Sequence, residues 1–296
     1  MFKKILLSLF AILGLTLSLG SQGAFESRGN FFSGEDKQVT LSYVQWDSEI
    51  ASTYVLAAIL EEAGYQVQLT PVDVAINFSA IANGEADATV SVWLPNTHGE
   101  YLKRYGDQMV DLGHNLEGAT IGLTVPAYMD VDSISDLKDQ AGKKITAIEP
   151  GAGVVVAAQE AQETYSNLSD WEVVTASTGA MTTALGQAID KEEDIVVTGW
   201  TPHWMFAQYD LKYLEDSEGV FGEGEYIATY ARQGLEEDSP GAFKIIDAFQ
   251  WQVEDMESVM LDISQGDSPE EAAQTWVQAN RDRVDAVSYT HLRAHE

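Results

Sequence analysis

Ala88-Thr-Val-Ser-Val-Trp-Leu-Pro95 and Asp194-Ile-Val-Val-Thr-Gly-Trp-Thr-Pro202 are the stretches on which the fold turns. Each holds an apolar run that reads as a buried strand. Each runs into a tryptophan, Trp93 or Trp200, with a proline two residues later. Upstream of the first, Val39-Thr-Leu-Ser-Tyr-Val44 alternates as a strand, and Ala51, Val55, Ala58 and Ile59 share one helical face. Asp47 or Ser48 can cap that helix and Gly64 can end it. Gln66 to Val72 alternates again, and a second helix runs from Val74 to Asn83. The order is βαβαβ, the mark of a mostly parallel sheet.

The same order recurs upstream of Trp200. Strands are expected at Lys144–Ile148 and Glu172–Thr175, with helices opening at Gly151-Ala-Gly153 and spanning Met181–Ile189. A repeat on this scale predicts an α/β fold of two facing lobes, each a mostly parallel sheet flanked by helices, rather than one doubly wound domain. Lobe 1 is expected over residues 38–118 plus 234–287 and lobe 2 over 119–233, with hinge strands near 120–126 and 226–232. A single continuous sheet through both Trp93 and Trp200 would contradict this. Helices at 242–252, 255–263 and 269–287 are expected to return to lobe 1, the last opened by Ser268-Pro269-Glu270-Glu271.

The ends have a different character. Lys3 and Lys4, the apolar run Ile5 to Gly20, and then Ser21, Gly23 and Ala24 have the layout of a secretory signal peptide over 1–24. Residues 25–37 read as a flexible leader, and 288–296, which fit no helical spacing, as a non-native or disordered tail. With no cysteine, export brings neither disulfides nor a thiol for lipid anchoring. A freely diffusing periplasmic protein is expected. The net charge of -31, from 47 acidic and 16 basic residues, excludes nucleic acid as a partner.

In open parallel sheets, ligands sit beyond the carboxyl ends of the strands. Trp46, Trp93, Trp200 and the Gly151-Ala-Gly153 turn all fall there; Trp171, Trp204, Trp251 and Trp276 lie within strand or helix patterns and read as packing. A quaternary ammonium offers no N–H, so the attraction open to it is cation–π plus contact with its methyls, about 0.5–2 kcal/mol per ring. Several rings approach the roughly -8 kcal/mol of micromolar binding. The glycine turn into a helix offers free N–H groups to an anion; it lacks both the GxGxxG and the P-loop pattern, so a nucleotide is not expected. Together these features suit a ligand with a cation at one end and a carboxylate at the other. No cysteine nucleophile, HExxH or GxSxG is present, so no catalytic role is expected.

The stretches Trp46-Asp-Ser-Glu-Ile-Ala-Ser52, Val92-Trp-Leu-Pro-Asn-Thr-His98, Glu149-Pro-Gly-Ala-Gly-Val154 and Thr198-Gly-Trp-Thr-Pro-His-Trp204 resemble the glycine betaine/proline betaine substrate-binding proteins of ATP-binding cassette (ABC) importers. The likeness runs from Val39 to Val287 and implies the type II periplasmic binding-protein fold. It also implies that Trp46, Trp93 and Trp200 cage the ammonium, and that Gly153 and Val154 hold the carboxylate through backbone N–H groups with help from His98. Val154 stands where relatives carry isoleucine, which a backbone contact tolerates. The implied partners are the ligand and ABC permease subunits in the inner membrane, with the protein a monomer and no cofactor or metal. Proline betaine, choline or dimethylsulfoniopropionate as ligand, or a sensor role at a membrane receptor, are the alternatives. His98 has a plainer reading, exposed in the first turn of a helix capped by Asn96 or Thr97. His203 reads as structural and Asp47 as a helix cap.

Overall fold

The computed structural model describes residues 37–289. The expected signal peptide, nearly all of the leader and residues 290–296 of the expected tail lie outside them. Among the described residues no helix is long and apolar enough to cross a membrane.

The first half runs β1 (Gln38–Tyr43), α1 (Asp47–Glu62), β2 (Gln66–Pro71), α2 (Val74–Asn83), β3 (Ala88–Leu94) and α3 (Gly99–Tyr105). Then comes β4 (Met109–Pro126), the longest strand. The second half follows as β5 (Lys144–Ala147), α4 (Gly153–Thr164), β6 (Glu172–Thr175), α5 (Thr178–Asp190), β7 (Val196–Thr201), α6 (Trp204–Gln208) and β8 (Leu211–Tyr213). The chain returns through β9 (Glu225–Arg232) and ends in α7 (Leu235–Asp238), α8 (Pro240–Asp247), α9 (Val253–Ser264), α10 (Pro269–Ala279) and α11 (Arg281–Tyr289).

The repeat read from the sequence is present in the pairing. β1 lies between β2 and β3, all parallel. β5 lies between β6 and β7, again all parallel. β3 is buried along its whole length, as its unbroken apolar and small-residue run requires. The bonds Leu94–Pro95 and Thr201–Pro202 are both cis.

The two sheets are not separate, because they share β4. Its Met109–Ala119 part pairs antiparallel with β9, with register shifts between Asp111 and Ala119; its Thr120–Thr124 part pairs with β7, and Thr124–Pro126 with β8. A hydrogen-bonded path therefore does join the strands of Trp93 and Trp200, through β9 and then β4. Residues 120–126 are paired members of the second sheet, and 226–232 lie wholly in the first, between β3 and β4. β4 changes partner at Ala119/Thr120, from β9 to β7, and the chain returns to β9 after Leu214 and Glu215, which still bond to Leu123 and Asp132 of the second half. The sequence concealed the first part of β4 because Asp111, Gly113, His114 and Glu117 break the apolar alternation.

The terminal helices follow their apolar faces. α10 and α9 pack on α1, and Trp251 meets Trp276 edge to face at 5.8 Å. α9 also packs on α6 of the second half. Ser268 and Glu271 form the capping box that opens α10. The expected single helix 269–287 is two, because Asn280 turns its Nδ2 back to the Trp276 carbonyl at 2.9 Å and its own carbonyl starts α11. α11 runs through Tyr289 and so takes in the first two residues of the expected tail.

Candidate ligand-binding site

The carboxyl ends of β1, β3, β5 and β7 converge on one cavity of about 360 Å³, counted out to its mouth. Trp46, Trp93, His98, Gly153, Val154 and Trp200 all line it, with Ser48, Thr97, Ile121, Ile148 and Ala152. The six residues singled out in the sequence are thus brought together. Trp46 ends the short link from β1 to α1, Trp93 and Trp200 sit near the ends of β3 and β7, and Gly153 opens α4. All three indoles are at least nine-tenths buried.

His98 is the N-cap residue of α3 and is buried, at 1% exposure. This corrects the reading of an exposed first-turn histidine capped by Asn96 or Thr97. The carboxylate of Glu225, at the start of β9, accepts from the Asn96 and Thr97 N–H groups at 2.9 and 2.7 Å and from Thr97 Oγ1 at 2.5 Å, fixing the turn that carries His98. The Trp93 N–H donates to His98 Nδ1 at 3.0 Å. A neutral imidazole that accepts at Nδ1 carries its proton on Nε2. Burial pushes the His98 pKa down to about 3, so the ring is neutral. Nε2 is buried with no partner, and it is the one such side-chain atom among the described residues that belongs to a cavity-lining residue. Buried donors are rarely left unpaired without a functional reason.

The facing wall is the start of α4. No side chain caps it, so the Gly153 and Val154 N–H groups are the unclaimed donors of its first turn. A Cβ on Gly153 would lie 2.4 Å from Thr97 Cγ2 and 2.8 Å from the Thr97 carbonyl oxygen. Glycine is therefore required here by the close approach of the turn from the other half. Gly151 is required by its backbone, at φ +88°.

Two hydrogen bonds cross between the halves beside the cavity. Trp46 Nε1 donates to Glu149 Oε2 at 3.2 Å, and His203 Nε2 meets Asp47 Oδ2 at 3.1 Å. Asp47 is therefore not the cap of α1; the N-cap is Trp46, with no side-chain bond. His203 is fully buried, accepts at Nδ1 from the Met205 N–H at 3.2 Å, and packs edge-on against Trp200 with centroids 4.5 Å apart. Glu149, Glu225 and Ser48 were not singled out in the sequence as residues of the site. Their roles depend on partners 29 to 129 residues away, or on which way a helix start faces.

A cavity between two α/β halves, with a ring cage and unpaired donors on its walls, defines a cleft-type small-molecule binding protein. The comparisons with known proteins give the family. Residues 37–279 match the OpuAC model, the substrate-binding domain of the ABC-type glycine betaine transport system, and the chain belongs to that family. A crystal structure of lactococcal OpuAC, in its closed-liganded conformation with glycine betaine, is 51% identical at a TM-score of 0.83, covering 85% of this chain and 99% of that one. The glycine betaine/L-proline-binding protein ProX of Borrelia burgdorferi is 33% identical at 0.81, covering 84% and 96%. Among curated proteins, the glycine betaine/carnitine transport binding protein GbuC of Listeria monocytogenes serotype 1/2a (strain 10403S) is 46% identical over 167 residues. That match spans 56% of this chain and 55% of GbuC, about half the length of the curated relative.

Proposed function

We propose that the protein is the periplasmic receptor of an ABC importer for glycine betaine or a closely related onium carboxylate. The observation that carries this is the pairing, in one cavity, of three buried indoles with a neutral imidazole whose buried Nε2–H has no partner. The rings suit a methylated cation, which cannot be hydrogen-bonded. The His98 Nε2–H and the α4 N–H groups suit a carboxylate, and α4 presents the positive end of its dipole. Trp46, Trp93 and His98 come from one half, and Trp200, Gly153 and Val154 from the other. The ligand then bridges both, and its preference for the closed arrangement shifts the population towards it. The two lobes are residues 38–119 with 225–287, and 120–224.

The receptor holds its ligand without chemical turnover, acts as a monomer after removal of an N-terminal signal peptide, and hands the ligand to the importer's permease subunits. Calorimetric titration with glycine betaine, proline betaine, choline and dimethylsulfoniopropionate tests the reading. The three carboxylates should bind more tightly than choline. Binding of choline alone, or of none of the four, refutes it.

A further inference from the structure

Trp46 belongs to the first half, yet the group that orients its ring belongs to the second. Its indole Nε1–H donates to Glu149 Oε2 at 3.2 Å. Glu149 is held in turn by α5, its Oε1 accepting from the Thr178 N–H at 3.0 Å and its Oε2 from Thr178 Oγ1 at 2.9 Å. The carboxylate is thus fixed by three donors, one of them across the cleft. Trp200, from the second half, has the mirror arrangement: His203 lies edge-on against it and is bonded to Asp47 of the first half. We propose that Glu149 is a positioning residue for Trp46, so that this wall of the cage takes its binding orientation only when the halves meet.

The physical reason is economical. A tryptophan at the end of a three-residue link has its χ angles set by whatever packs on it, and an indole N–H bonded to a carboxylate is a charge-assisted bond with a defined direction. Electron density drawn from the carboxylate into the indole also strengthens the ring's attraction for a cation. Glu149 itself does not line the cavity, so its effect on the ligand passes through the ring. This inference rests on the onium reading of the site.

The test is a double-mutant cycle read by glycine betaine calorimetry. Glu149→Gln keeps the shape but has one accepting oxygen for three donors; it should weaken betaine about 10-fold, the loss expected for a bond to a charged group. In a Trp46→Phe background, which keeps an aromatic face but has no N–H, the same change should cost less than about 2-fold. The ¹H–¹⁵N spectrum of the betaine-saturated protein should show the Trp46 indole resonance moved by Glu149→Gln and the other indole resonances in place. Equal losses in both backgrounds, or an unmoved Trp46 resonance, overturn the proposal and leave the betaine reading standing. If wild type does not bind betaine, the betaine reading falls. The Trp46 resonance of the choline-saturated protein, with and without Glu149→Gln, then decides the positioning role alone.

Discussion

Gly153→Ala should separate closure from folding. In the arrangement described, an alanine Cβ would sit 2.4 Å from Thr97 Cγ2, 2.8 Å from the Thr97 oxygen and 3.0 Å from its Cα. Carbon atoms pack best at roughly 3.5–4.0 Å, so the two walls must part by about 1 Å. Overpacking of that kind costs about 1–3 kcal/mol. The cost falls only on the arrangement in which the Thr97 turn meets α4, which is the one that binds, so betaine affinity should fall about 5- to 150-fold. Gly153 has no left-handed φ and opens a helix, where alanine is the better former, so the free protein should melt no lower than wild type. The backbone N–H is retained, so the loss is not that of a donor. The assay is betaine calorimetry beside thermal melts with and without ligand, and small-angle scattering for compaction. Thr97→Ser on top of Gly153→Ala removes the 2.4 Å contact but leaves the carbonyl at 2.8 Å, so it should restore part of the affinity. A Gly153→Ala protein that binds and compacts as wild type refutes the reasoning.

His98→Ala should weaken betaine by about 1–3 kcal/mol. Choline should lose only the part due to the unpaired Trp93 N–H; equal losses would remove His98 from the carboxylate site. Since burial holds His98 at a pKa of about 3, betaine affinity should stay flat from pH 8 to 5, whereas affinity climbing through the ordinary histidine range would show that the imidazolium binds. Leucine in place of Trp46, Trp93 or Trp200 should cost about 0.5–2 kcal/mol each and phenylalanine less, by calorimetry; wild-type binding in all three leucine variants would end the cage model. Burial raises the Glu49 carboxyl from 4.5 to about 8, against the pull of the Val44 N–H. The folded chain thus keeps a proton that the unfolded chain releases, so this contribution to stability is full below pH 4.5 and is lost as pH rises towards 8. Urea titrations should show wild type losing up to about 1.4 kcal/mol per pH unit across that window relative to Glu49→Gln, and parallel profiles would refute the burial account.

The two βαβαβ units were legible because their strands are short, apolar and punctuated, as at Ala88–Leu94, and Gly64 in the first unit and Ser268 before α10 mark helix ends by chemistry that needs no tertiary partner. The six candidate residues that line the cavity were legible as strand-end tryptophans, a glycine turn and a motif histidine. Apart from the local break at Asn280, what failed shared a cause. The first part of β4, the placement of β9, and the partners of Asp47, Glu149 and Glu225 are set by contacts distant in sequence, which local spacing does not encode.

The sharing of β4 bears on the entropy of binding. Two bodies free of one another lose translational and rotational freedom when a ligand brings them together, and that loss is large. Here the backbone runs unbroken from Met109 to Pro126 through both sheets and returns once, before Glu225. On the proposed two-lobe reading, two crossings leave one soft coordinate, a rotation about the line that joins them, with the irregular register between Asp111 and Ala119 beside it. Most of the disorder that a clamp could lose has therefore already been removed by the covalent chain. On the proposed reading of the site, the ligand has to restrain a single angle, which leaves the attraction of three rings and a few donors to appear almost undiminished as affinity.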